Sequence, residues 1–224
     1  MLATAADLGI NAIDTAPAYG VAEARLGKLL GSETGKFHIF TKTGETLEGG
    51  VSHYDFSADV TRDSVHRSLK RLGVACLAGV ALHCPADDLD SLINSPALET
   101  LSRLKETGDL TSIGASTTTL EGGLKAVALC DYVMVAYNAA YRDQESVITA
   151  AHDAGKAVVV KKGFNSGKSL PGDPKAAVEN HVRAIFDLPG TNSLAIGTIN
   201  PDHLRECAVA VEQAVRGGLD LSPR

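Results

Sequence analysis

Short apolar runs rich in β-branched residues recur along this chain, and stretches with apolar positions at helical spacing lie between and around them. The runs are NAIDT (11–15), FHIFTKT (37–43), the segment around 76–84 ending in VALHC, LTSIGAS (110–116), YVMVAYN (132–138), AVVVKKG (157–163) and SLAIGT (193–198). They predict seven strands. The helical patterns are LATAADLG, VAEARLGKLLG, DVTRDSVHRSLKRLG, ALETLSRLKETG, TLEGGLKAVALC, RDQESVITAAHDAG, DPKAAVENHVRAIFD and NPDHLRECAVAVEQAV. They predict eight helices, several closed by a C-terminal glycine. Regular alternation of short buried strands with helices predicts right-handed βαβ units on a parallel sheet, and this many units favour a (β/α)8 TIM barrel over an open sheet. A helix comes first, so the expected barrel is α/β but incomplete at the N-terminus. A seven-stranded partial barrel, a partner supplying the gap, or a chain whose start has been lost would each produce that pattern. The most loop-like stretch, GETLEGGVSHYDFS (44–57), follows the second strand and is a candidate lid or an ordinary long insertion.

Composition adds limits. A chain of 224 residues, 44% hydrophobic, is expected to form a single domain over 1–224. Acidic residues outnumber basic ones, 27 to 21, without long runs of either sign, and tryptophan is absent. Neither nucleic acid nor a membrane is expected as a partner. The four cysteines form no CxxC pair, so neither a disulfide framework nor a metal site is expected. With no export leader pattern and no long apolar span, the expected location is cytoplasmic.

In such barrels chemistry collects at the carboxyl ends of the strands. There the chain places Asp14 and the following Tyr19, then Lys42, His83, Ser116, Lys161 and Lys162. Singly, each has a structural explanation: Asp14 as a cap, Tyr19 as a packed ring, Lys42 snorkelling to solvent, His83 as a satisfied core histidine. Together, a lysine inside FHIFT and a histidine closing VAL need buried partners, and the nearby candidates are each other and Asp14.

Across GINAIDTAPAYGVAEARLGKLL (9–30), FTKTG (40–44), SLKRLGV and ALHCP, SIGAS, AYN, VVKKGFNSG and AIGTINPDHLREC, the chain resembles the aldo-keto reductase superfamily. The resemblance implies a (β/α)8 barrel that binds an extended nicotinamide cofactor, NADP(H) with NAD(H) as the alternative, and reduces a small-molecule carbonyl or catalyses the reverse. It puts the catalytic tetrad on Asp14, Tyr19, Lys42 and His83. Tyr19 would supply the proton, Lys42 the charge that favours the phenolate, Asp14 the ion pair that holds Lys42, and His83 a hydrogen bond to the substrate oxygen. It carries cofactor contacts to Asp14, Ser116, Lys161, Lys162, Gly163, Phe164 and Gly167, and to Gly197, Thr198, His203 and Glu206 around the last strand-to-helix turn. Departures from the family pattern are Thr117 and Met134 where an asparagine and a glutamine commonly meet the carboxamide, and Lys161 where a tyrosine commonly stacks. The family's amino-terminal hairpin and first strand have no counterpart here, and a homo-oligomer covering the open barrel edge is one expected remedy. Two alternatives accompany this reading: a truncated barrel with weak or no catalysis, and a lyase using a strand-end lysine as Schiff-base nucleophile.

Overall fold

A computed structural model of the chain describes residues 1–164 and 174–218. These fall into two compact units, one spanning Asn11–Met134 and the other combining Met1–Ile10 with the chain from Val135 onward. In chain order the first helix, α1 (Leu2–Asp7), belongs to the second of these units.

The unit Asn11–Met134 carries strands β1 (Ala12–Asp14) and β2 (His38–Thr43), with helix α2 (Ala22–Leu30) between them. A short hairpin follows, β3 (Glu45–Glu48) and β4 (Val51–Tyr54), then α3 (Ala58–Leu72) and β5 (Gly79–His83). Helices α4 (Asp88–Ile93) and α5 (Ala97–Thr107) lead to β6 (Ile113–Ser116), α6 (Leu120–Leu129) and β7 (Tyr132–Ala136), whose last residues pass into the other unit. The pairs β1–β2, β2–β5, β5–β6 and β6–β7 are all parallel, as the βα alternation requires. The strand interiors are near-continuous apolar runs because they are covered on both faces; in β5, Gly79, Val80, Ala81 and Leu82 are all buried.

Two aromatic side chains and two glycines fill part of this sheet's core. Phe40 lies opposite Gly79 in the ladder and Tyr132 opposite Gly114. The two rings meet edge to face with centroids 5.7 Å apart. A Cβ on Gly114 would stand 2.3 Å from Tyr132 Cζ, and one on Gly79 would stand 2.7 Å from Phe40 Cδ1. Large side chains from β2 and β7 thus occupy the room that glycines on β5 and β6 leave. On the helical side, Gly27 brings α2 against the end of α3, where a Cβ would lie 2.1 Å from the Arg71 carbonyl oxygen. Glu23 is fully buried at the same contact; it accepts a 2.7 Å hydrogen bond from Thr41 Oγ1 and pairs with Arg71 at 3.3 Å.

The other unit holds α7 (Glu145–Asp153), β8 (Ala157–Lys161), α8 (Pro174–Phe186), β9 (Ser193–Leu194) and α9 (Pro201–Gly218). β8 pairs in parallel with β9, α8 packs along α9, and α1 rests against α9.

The segment 44–57 differs from the expected loop: it is an antiparallel hairpin, with Glu45 opposite Tyr54 and Leu47 opposite Ser52. Its two-residue turn, Gly49-Gly50, has φ of 57° and 82°, the left-handed pair that a tight hairpin needs and glycine supplies without strain. The described residues hold nine α-helices rather than eight, because α4 forms within 84–95. Asp88, buried at the start of α4, accepts from the amides of Thr118 and Thr119 and from Thr119 Oγ1. The last strand is also shorter than expected, two residues against six. No helix among the described residues is long and apolar enough to cross a membrane.

Candidate active site

Asp14, Tyr19, Lys42 and His83 are brought together at the carboxyl ends of β1, β2 and β5. Asp14 is the last residue of β1 and Tyr19 closes the helical turn Pro17–Tyr19 just after it. That turn is set by Pro17 at its first position, whose fixed φ suits a helical start. Lys42 lies on β2, only 2% exposed. Its Nζ donates to Asp14 Oδ2 at 2.5 Å and to the Thr15 carbonyl at 2.9 Å. Burying an ammonium requires such partners, and these two satisfy most of its donors.

The same Nζ lies 5.0 Å from the centroid of the Tyr19 ring. Tyr19 is 49% exposed, so a buried charge stands behind a phenol that faces solvent. His83, the last residue of β5, also meets Tyr19, edge to face with centroids 6.0 Å apart.

A fifth residue, Glu45, completes the cluster. It opens the hairpin strand β3, which packs against the turn carrying Tyr19. Glu45 Oε2 lies 2.5 Å from His83 Nδ1. Its other oxygen accepts from Ser52 Oγ at 2.6 Å and from the Tyr54 hydroxyl at 3.3 Å, both on β4. Burial, with the Glu45 carboxylate second, raises the Tyr54 phenol above its ordinary value of 10.0. Glu45 was not among the expected site residues, because 44–57 read as a polar loop. The signal that exposes it is the Gly49-Gly50 pair between ETLE and VSHY, which marks a hairpin and hence a defined side-chain face. Gly44, at φ 97°, holds the entry to this hairpin; the Phe56 ring lies over it where a Cβ would be 2.0 Å away.

Of the expected cofactor residues, Ser116 ends β6 and is buried, paired in register with His83 on one side and Met134 on the other. Thr117 follows it, fully buried, with its amide donating to the Met134 carbonyl. The remaining ones lie in the other unit. Lys161 ends β8 half-buried, and its carbonyl accepts from the Tyr137 amide. Lys162 is exposed at φ 58°, with its carbonyl accepting from Asn138 Nδ2 at 2.8 Å. Gly163 is buried where a Cβ would meet Leu194 Cδ1 at 2.6 Å, a packing reason for glycine at that point. Phe164 is half-buried beside it, and Gly167 lies outside the described residues. Gly197, exposed, and Thr198, half-buried, follow β9, and His203 and Glu206 are exposed on α9.

Compared with known proteins, residues 1–218 match the family described as the aldo/keto reductase family. A crystal structure of a Pseudomonas aeruginosa protein assigned to the aldo-keto reductases is 42% identical, with a TM-score of 0.89, over 96% of this chain and 82% of that one. The D-threo-aldose 1-dehydrogenase of a Pseudomonas species is 28% identical over 204 residues, 78% of this chain and 62% of that protein. The D-arabinose 1-dehydrogenase of Saccharomyces cerevisiae is 37% identical over 117 residues, 48% of this chain and 32% of that protein. The chain thus spans less than two thirds of the length of these curated relatives. The fold is a (β/α)8 barrel, with seven of its strands, all parallel, among the described residues.

Proposed function

The chain belongs to the aldo/keto reductase family, and from that premise we propose that it is an oxidoreductase interconverting a carbonyl and its alcohol, with a nicotinamide nucleotide as hydride partner. The observation that carries this reading is a lysine 2% exposed, ion-paired to Asp14 and set 5.0 Å from the ring of the half-exposed Tyr19. When bound, the nicotinamide supplies hydride to the carbonyl carbon in reduction and removes it in oxidation.

Everything else falls to side chains of this chain. In reduction the O–H bond of Tyr19 breaks and its proton passes to the substrate oxygen, leaving a phenolate beside the Lys42 ammonium. In oxidation that phenolate takes the proton back. Asp14 acts through Lys42: it holds the ammonium in place, so the stabilising field is set before the proton moves. His83, whose ring meets that of Tyr19, is the second polar contact for the substrate oxygen. Lys42 is buried with its Nζ engaged by Asp14 and the Thr15 carbonyl, so the Schiff-base alternative draws no support from it.

The residues at the end of β6 fit a nicotinamide. Ser116 and Thr117 are buried polar side chains next in register to His83, whereas Met134 opposite them is apolar. Recognition of the carboxamide would then rest on Ser116 and Thr117, beside Asp14. We take NADP(H) as the nucleotide, with NAD(H) as the alternative. Lys162, and His203 in the first turn of α9, are candidates for phosphate, joined by Lys161, Gly163 and Phe164 and by Gly197 and Thr198; Glu206 on α9 opposes a second phosphate by its charge. The aldose dehydrogenases among the relatives support a sugar as substrate class. A cytoplasmic setting belongs to the same reading.

The test is nucleotide-linked turnover of a panel of aldoses and simple aldehydes, run with Tyr19→Phe. Loss of the phenolic proton is expected to cost about 100-fold or more in kcat while nucleotide affinity by calorimetry holds. Turnover by Tyr19→Phe near that of the parent protein, or no nucleotide binding by the parent, would overturn the proposal.

A further inference from the structure

Asp88 is a buried carboxylate, 1% exposed, that opens α4 in the stretch after β5 and directs its side-chain hydrogen bonds to the stretch after β6. Its Oδ2 accepts from the amides of Thr118 at 2.7 Å and Thr119 at 2.9 Å, and its Oδ1 from Thr119 Oγ1 at 2.6 Å. The Thr118 hydroxyl lies between the Pro85 carbonyl, at 3.3 Å, and Asp88 Oδ2, at 3.4 Å. Burying a carboxylate is costly unless donors such as these replace its water. Gly122 leaves the room for it: a Cβ there would stand 2.0 Å from Asp88 Oδ1.

Capping of α6 does not account for this arrangement. Thr119 is already the cap, its Oγ1 accepting from the Gly122 amide at 2.9 Å, and a cap hydroxyl can give its own proton to water. Asp88 adds two backbone bonds at and before the cap, from a helix 30 residues earlier in the chain. What those bonds secure is the path of the backbone just past Ser116 and Thr117. The same path is tied to β5 beyond the end of the strand, where the Cys84 amide donates to the Ser116 carbonyl at 3.3 Å. The end of β5 that carries His83 and the end of β6 that carries Ser116 are therefore held together over their next few residues.

We propose that Asp88 is a positioning residue for nucleotide binding: by fixing the backbone at Thr118 and Thr119, it holds Ser116 and Thr117 ready for the carboxamide, in register with His83. The assignment rests on the oxidoreductase reading given above. Asp88 itself touches neither nucleotide nor substrate in this scheme. Its contribution is preorganisation, because groups that are already ordered do not have to be ordered when the ligand arrives. Removing the clamp leaves Ser116 and Thr117 in the chain but makes binding bear the cost of fixing them.

The test is calorimetric titration of the full chain with NADPH and with NADH, well below the unfolding midpoint, comparing the parent with Asp88→Ala and Thr119→Val. Asp88→Ala removes both acceptors and is expected to weaken nucleotide binding roughly 10-fold. In steady state this shows as a raised KM for nucleotide, with kcat at saturating nucleotide falling less than KM rises. Thr119→Val removes the cap hydroxyl but keeps both amide bonds to Asp88; it is expected to lower stability while affinity stays within about 2-fold. Should Asp88→Ala not fold, Asp88→Asn, which retains one acceptor oxygen, is expected to show a smaller loss of roughly 3-fold. A folded Asp88 variant that binds nucleotide as tightly as the parent would overturn the proposal, and so would a Thr119→Val that weakens binding as much as the Asp88 change. A parent chain that binds neither nucleotide overturns the oxidoreductase reading, and this assignment with it.

Discussion

Replacing Asp14 by asparagine tests whether the buried Lys42 charge is tied to one partner. Asparagine keeps the shape and one acceptor oxygen but removes the countercharge, leaving an ammonium 2% exposed with the Thr15 carbonyl, at 2.9 Å, as its remaining strong acceptor. Breaking a buried ion pair by deleting one member costs about 3–5 kcal/mol. Asp14 is 28% exposed, so water already screens part of the attraction, and the asparagine oxygen recovers some of the hydrogen bond. The expected loss is therefore about 2–3 kcal/mol. For a chain of this size that corresponds to a fall in Tm of roughly 4–12 °C, read by circular dichroism or calorimetry. The decisive variant is the double change Asp14→Asn with Lys42→Met, which removes the stranded charge and puts an apolar chain of similar length in its place. It should recover most of the lost stability while remaining inactive, because the field at Tyr19 is gone. If the double variant is no more stable than Asp14→Asn alone, the cost does not come from an unpaired ammonium and the reasoning fails.

Two further tests address the core beneath the site. The Tyr132 hydroxyl is buried without a hydrogen-bond partner among the described residues, and burial, followed by the nearby charges of Asp14, Cys130 and Asp131, raises its phenol well above 10.0. A folded-state pKa raised above the unfolded value leaves stability intact below about pH 10 and removes it as pH rises beyond that. Tyr132→Phe should thus be neutral or more stable by about 1 kcal/mol at pH 7 and should push alkaline unfolding to higher pH; an unmoved alkaline transition would count against the assignment. Gly114→Ala puts a methyl 2.3 Å from the Tyr132 ring and is expected to cost about 1–3 kcal/mol in urea unfolding, with an unchanged midpoint as the contrary result.

Most of the fold could be read in advance because its signals are local. Each parallel strand is a short apolar run, and each helix has its own amphipathic face; α3 buries Val65 and Leu72, with Thr61, Ser64 and Ser68 between and before them, at helical spacing. The glycine after it, Gly73, sits at φ 70°, the C-terminal signal that ended the pattern correctly. What local signals did not give is pairing in space. The letters around Gly79 and Gly114 do not say what faces them, and only the register, Phe40 opposite Gly79 and Tyr132 opposite Gly114, shows why a side chain would not fit there. β9 was read too long because an apolar letter pattern such as AIGT does not tell whether a neighbouring strand continues alongside it.

The site divides along the same line. Asp14 and Tyr19 are five residues apart on one strand end and its turn, so their proximity follows from the chain itself. Lys42 joins them because β1 and β2 pair in parallel, and with two residues of DTA in hand a lysine inside an apolar strand had few other partners. Glu45 is different. It lies three residues beyond Lys42 and 38 before His83 in the sequence, and it stands on the hairpin strand β3 rather than on the barrel strand that carries Lys42. Its position depends on Gly44 tolerating the Phe56 ring, on a two-glycine turn of the right hand, and on two hydroxyls from the returning strand. A carboxylate whose place is set by two backbone features and two side-chain hydroxyls cannot be found by scanning for charge. Once a Gly-Gly turn predicts the hairpin, however, its register puts Glu45, Ser52 and Tyr54 on one face, and the question of what that face touches becomes one that a sequence can pose.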